Sequence, residues 1–253
     1  GQTLQGVTQT GRTSKKVFVL IVYASAVHAR WIDDNGIQIV AALAVASEPE
    51  IFWRGNDAES IIQKIHVPSG VGTLTVPAQK DLNGPSGRAL DNQFLVPLGY
   101  KREDAWLCDL LPESRVNLKQ REAIDKYYKP LCGKFDLPAP TIPDFDENEL
   151  NSEQRRRDIL NEIKESQANT LILLGDIPVR WFLQYFIKEK YSKLSDFGDT
   201  QETYGTSHKM DVAGLQITVI PLCHPRQAAK LGTSNSKWGI LHEGWVEKMK
   251  SQI

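Results

Sequence analysis

Alternation of short apolar runs with helical patterns predicts an α/β fold: a three-layer α/β/α domain on a four-stranded parallel sheet, preceded by an N-terminal β-rich extension. Three observations carry it. Four short apolar runs, Thr73–Val76, Ala105–Leu111, Thr170–Leu174 and Leu215–Leu222, are separated by stretches with helical spacing. The 253 residues, 41% hydrophobic and 24% charged, suffice for a substantial core and exclude disordered and collagen-like classes. Before residue 70 the pattern is different, with two apolar runs around a turn signal and no strand–helix alternation. Residues 1–69 are therefore expected to form the extension and residues 70–253 the α/β domain.

Taken in order, residues 1–14 read as a loose polar tail. Lys15 and Lys16 ahead of the apolar run 17–27 have the outline of a signal peptide. That run is too short to span a bilayer, and a buried strand explains it better. Val17–Tyr23 and Ile37–Ala46 flank Asp33-Asp34-Asn35-Gly36, which predicts a hairpin. Asn56 or Asp57 is placed to cap a short helix carrying Ile61, Ile62 and Ile65. Further helices are expected over Gly87–Leu98, Asn117–Leu131, Ser152–Ser166, around Trp181, Phe182, Tyr185 and Phe186, and from Trp238 to Lys250. Residues 133–150, rich in Pro and Asp, read as a surface excursion, and Arg155-Arg156-Arg157 as a solvated helix face.

The net charge of -1 confines any contact with a polyanion to a local patch. Cys108, Cys132 and Cys223 form no CxxC pair, so neither a disulfide framework nor a cysteine-built zinc or iron–sulfur site is expected. Reduced thiols fit a cytoplasmic protein, expected to be a monomer with no membrane segment, metal or cofactor.

In parallel sheets ligands bind at the carboxyl ends of the strands. After the fourth run stands His224-Pro225, an imidazole held at a strand exit. Read together, the strand ends resemble motifs of the uracil-DNA glycosylase superfamily. The matching segments are Leu82-Asn83-Gly84-Pro85-Ser86-Gly87 with the approach Gly99-Tyr100-Lys101-Arg102-Glu103-Asp104, the strand Thr170–Leu174 with Gly175, and Pro221-Leu222-Cys223-His224-Pro225 followed by Trp238 and Trp245. They occur in the family's order and cover about residues 70–250.

The resemblance implies a hydrolase of DNA repair that cleaves the N-glycosidic bond of a modified or mispaired base flipped out of single-stranded or duplex DNA. It assigns His224 as the donor facing the departing base. Gln79 or Asp81, after the run ending at Val76, would hold water, with Val67-Pro68-Ser69-Gly70 as a second placement of that strand end. Leu82 stands where the family stacks an aromatic ring. Asp109, preceded by Cys108, stands where the family reads the base with Asn. An ionised Asp only accepts, which suits an amino-bearing edge and makes uracil a poor substrate. Arg226, Gln227, Lys230 and Lys237, with Leu231 as a wedge, would contact DNA.

The family's first-strand signatures, Gly-Glu, Gly-Gln-Asp or Asn-Pro, are missing. A catalytically silent member that binds nucleic acid or a nucleotide is therefore a second reading. An unrelated α/β enzyme pairing His224 with Asp109 or Asp176 is a third.

Overall fold

The computed structural model describes residues 6–79, 82–140, 143, 145–187, 191–231 and 237–251. The chain is a mixed α/β protein whose contacts separate into two compact units, both built from discontinuous segments. The smaller comprises Gly1–Val7, Tyr23–Pro85 and Pro112–Asp146; the larger comprises Thr8–Val22, Ser86–Leu111 and Glu147–Ile253.

The larger unit is organised on five strands: β1 (Val17–Tyr23), β5 (Ala105–Leu111), β6 (Thr170–Leu174), β7 (His208–Val212) and β8 (Leu215–Leu222), in the order β5-β1-β6-β8-β7. β1 runs parallel to β6 and β6 parallel to β8, while β7 is antiparallel to β8. The central strands are apolar at successive positions rather than alternating, because a strand covered on both faces has no side for water. Val17, Phe18, Val19 and Leu20 are all fully buried, as are Leu171, Ile172, Leu173 and Leu174. At about 1.5–3 kcal/mol for each large apolar side chain buried, such strands are the main favourable term holding this unit together.

The smaller unit holds an antiparallel sheet in the order β3-β2-β4, from β2 (Ala26–Ile32), β3 (Gln38–Ser47) and β4 (Thr73–Thr75). The β2–β3 turn is the predicted Asp-Asp-Asn-Gly. Asp33 accepts from the N–H groups of Asn35 and Ile37, and Gly36 takes the left-handed conformation at φ 81. Trp31, Leu43, Val45, Trp53, Ile62 and Ile124 are among the core residues.

The helices are α1 (Ala58–Gln63), α2 (Pro85–Ala89), α3 (Leu118–Ala123), α4 (Lys129–Cys132), α5 (Glu153–Ser166), α6 (Asp176–Pro178), α7 (Gln184–Phe186), α8 (Pro225–Ala228) and α9 (Lys237–Lys250). α2 continues through a π turn, Leu90–Leu95, and a 3-10 turn, Val96–Leu98, ending at left-handed Gly99. Ser152 caps α5 through its hydroxyl. Asp57 precedes α1 as expected, but its carboxylate accepts from Trp53 Nε1 rather than capping.

Three expectations change. Thr73–Val76 is not a strand of the large sheet: β4 pairs antiparallel with β2, and its short Thr-Leu-Thr sequence is exposed or half-buried. The strand beside β6 is β1, whose seven consecutive apolar residues suit a central position. Consequently the hairpin partner of β3 is β2, and the segment read as an extension supplies a strand to the larger unit. The third change is β7, an added antiparallel strand folded back through a turn in which Asp211 accepts from the Gly214 N–H. Among the described residues no helix is long and apolar enough to cross a membrane.

Candidate functional site

β8 ends at Leu222, and the polar groups around the next two residues are almost all committed. Leu222 C=O accepts from Gly175 N–H at 2.8 Å. His224 is the N-cap of α8: its N–H donates to the Gln227 side chain at 3.1 Å, and its C=O accepts from Gln227 N–H at 2.8 Å. Its Nδ1 accepts from Arg226 N–H at 3.2 Å. Because Nδ1 is an acceptor, the neutral ring carries its proton on Nε2. Burial pushes the imidazole pKa down to about 4, assisted by the charge of Arg226. At neutral pH His224 is thus an uncharged donor, and its Nε2–H has no partner among the described residues. Gly175, at φ 92, lies against the ring; a Cβ there would sit 3.5 Å from His224 Cβ.

A buried relay fixes the residue before it. Cys223 N–H donates to Tyr204 Oη at 2.9 Å, and the Tyr204 hydroxyl donates to His242 Nδ1 at 2.8 Å. His242 Nε2–H donates to Gln93 C=O at 2.9 Å. A carbonyl can only accept, so the direction of the chain follows from its last member. Burial lowers the His242 pKa to about 4, which keeps its Nδ1 free to accept, and raises the Tyr204 pKa well above its ordinary value. Sequence reasoning missed both residues. The available signal was His242 on the apolar stripe of α9, with Trp238, Leu241 and Trp245 at helical spacing.

Asp109 lies within β5, 1% exposed, and neither carboxylate oxygen has a hydrogen-bond partner among the described residues. Burial raises its pKa to about 7; Arg155 pulls it down and Glu162 pushes it up. Arg155, on α5, clamps the strand around it. Its guanidinium donates to the Asp109 and Leu110 carbonyls, contacts Cys108 Sγ at 3.2 Å and pairs with Glu162, which also accepts from Trp106 Nε1. Arg156 is buried too, its guanidinium 4.1 Å from the centre of the Tyr185 ring; only Arg157 pairs with Glu153 in solvent. The triple-Arg segment is therefore not a solvated face. Strand alternation separates Cys108 from Asp109: Cys108 shares the α5 side with Trp106, and burial raises its thiol pKa well above the ordinary range.

Asp109 and His224 belong to the same unit, on strands separated by β1 and β6. Three strand spacings put those strands roughly 14 Å apart, too far for a direct hydrogen bond. Asp176 does not pair with His224 either; it accepts from Leu194 N–H at 2.7 Å. The acid–base pairing of the third reading is not formed. Gln79 is exposed and Leu82 half-buried, and both fall in the smaller unit beyond β4; Asp81 lies outside the described residues. Arg226 is exposed, Gln227 is the α8 capping partner, and Leu231 is half-buried with its N–H on Arg226 C=O. Lys230 pairs with Glu243, and Lys237 with Asp199. Thr233, Ser234, Asn235 and Ser236 lie outside the described residues. Among the described residues no group of three or more His, Cys, Asp or Glu side chains is placed to hold a metal ion.

No protein-family model matches the chain, and no curated protein matches it.

Proposed function

We propose that the larger unit is a divergent glycosylase-like hydrolase, a three-layer α/β/α domain on the four strands β5-β1-β6-β8, acting on the N-glycosidic bond of an extruded nucleobase. The observation that carries this is His224. A neutral imidazole with Nδ1 held by a backbone N–H, and with no partner for Nε2–H among the described residues, suits a departing base anion, because that N–H donates to the developing oxyanion without transferring its proton. The relay through Tyr204 supports it by holding the preceding peptide fixed, so little reorganisation accompanies the reaction.

Asp109 bears on the choice of base. The objection to uracil rests on an ionised carboxylate, yet burial brings its pKa to about 7. The neutral acid offers one donor and one acceptor, the pair that a keto–imino edge requires; the ionised form suits an amino-bearing edge. Base preference should therefore change with pH around that value.

The second reading, a catalytically silent nucleotide or nucleic-acid binder, is favoured by the exit of β1. Tyr23-Ala24-Ser25 supplies no carboxylate or carboxamide to hold water, and Lys230 and Lys237 are engaged by acids. The deciding experiment incubates the full chain with single-stranded and duplex oligonucleotides carrying uracil, hypoxanthine, xanthine or mispaired bases, between pH 5.5 and 8.5. Glycosylase action predicts base release that falls about 10²–10³-fold in His224→Ala. Retained DNA binding without release from any substrate would establish the silent reading instead.

A further inference from the structure

The smaller unit contains a cavity of about 580 Å³ that plays no part in the proposed glycosylase chemistry. One wall is the sheet, through Trp31, Leu43, Val45 and Leu74; the other is formed by Ile124, Tyr128 and Leu131 and by the segment 135–140. The space is partly open to solvent, with exposed residues on its rim, so it is a cleft that a ligand can enter rather than a sealed void in the core. It falls within the range of small-molecule sites, concave and mostly apolar with a few placed polar groups.

The polar atoms of two lining aromatics are satisfied within the lining itself. Trp31 Nε1–H donates to Val71 C=O at 2.7 Å, and the Tyr128 hydroxyl donates to Pro138 C=O at 2.7 Å. That second bond, with Leu137 N–H on Cys132 C=O at 2.9 Å, also fastens the Pro-rich segment as a wall. Having satisfied those groups internally, the cavity asks for an apolar body in its occupant. Besides Tyr128, its titratable lining residues are Lys64 and His66, both exposed on one segment after α1, and Asp136 on the segment after α4. No ion pair engages Lys64 among the described residues. Lys64 and His66 both present N–H donors on one segment, against the single carboxylate of Asp136, so hydrogen-bond donors outnumber carboxylates on the lining.

We propose that this cavity binds an amphipathic small molecule, an apolar chain or ring system bearing one anionic head that meets Lys64 and His66. The inference is independent of the glycosylase reading, since every residue it uses lies in the smaller unit.

Isothermal titration of the full chain with dodecanoate, dodecanol and dodecyltrimethylammonium, each below its micelle concentration, tests it. Saturable one-to-one binding of dodecanoate is expected, about tenfold tighter than dodecanol and tighter still than the cation. Leu74→Trp should abolish it by filling the space. Lys64→Glu, on the exposed rim, should weaken dodecanoate about tenfold while leaving dodecanol unchanged, and remains informative if Leu74→Trp fails to fold. Three outcomes would overturn the proposal: no saturable binding of dodecanoate, tighter binding of the cation, or a self-association in sedimentation that Leu74→Trp dissolves, which would make the cavity a contact between copies.

Discussion

Burial of Asp109, with no hydrogen bond to either carboxylate oxygen among the described residues, places the cost of its charge on the folded state. Its pKa of about 7 when folded compares with roughly 3.9 when unfolded. Between these values the folded chain keeps a proton that the unfolded chain has lost. The stability it contributes is thus complete below about pH 4 and is lost as the pH rises through about 7. His224 and His242, both lowered to about 4, act with the opposite sign: their contribution is present above about 6.5 and is lost as the pH falls through about 4. Asp109→Asn removes one slope and leaves the other two. Variant stability minus wild-type stability should therefore grow with pH between about 4 and 7 and stay flat above. The full change is on the order of 4 kcal/mol at most. Urea denaturation at several pH values measures it, and a difference independent of pH would refute the burial argument.

At the scale of elements, α5 is tied to β5 by Arg155 and by Glu162, which accepts from Trp106 Nε1. Arg155 holds the Asp109 and Leu110 carbonyls, Cys108 and Glu162 together. Arg155→Ala leaves Glu162, whose side chain is only 10% exposed, without that charge partner, and about 3–5 kcal/mol of stability should be lost. Arg157→Ala removes only a solvent-exposed pair with Glu153 and should cost under about 1 kcal/mol. Comparing the two melts is the check, and equal losses would restore the reading of a solvated triple-Arg face. This contrast marks what local pattern could reveal. His224-Pro225 is visible because a strand signal ends immediately before it, and β5, β6 and β8 are visible as short, mostly apolar runs. The Tyr204–His242 bond joins residues 38 apart, and His242 reaches Gln93 across 149, so no sequence window contains them. Arg155 reads as solvated because its neighbours Glu153 and Arg157 are; its burial depends on β5, which lies more than forty positions earlier.

The same limit operates on the whole molecule. Between β1 and α2 the chain runs through all three strands of the smaller unit's sheet, so the order of elements along the sequence conceals which strand lies at the centre of the larger one. Sequence continuity pointed to a boundary near residue 69. Strand pairing instead makes Val17–Tyr23 the neighbour of both β5 and β6. A fragment of residues 70–253 would consequently lack a central strand. The β6 edge that now pairs with β1 would be left open, as would that of β5, and such exposed apolar edges template aggregation. The four fully buried residues Val17, Phe18, Val19 and Leu20 alone represent about 6–12 kcal/mol of lost burial, comparable to the entire stability of a typical domain. The fragment should show no cooperative thermal transition and should aggregate when expressed. Adding back a peptide of residues 8–23 should restore a sharp melt, because that peptide carries the missing strand. A fragment that melts cooperatively by itself would mean that β1 is dispensable to the sheet, and the strand order would then have to be redrawn.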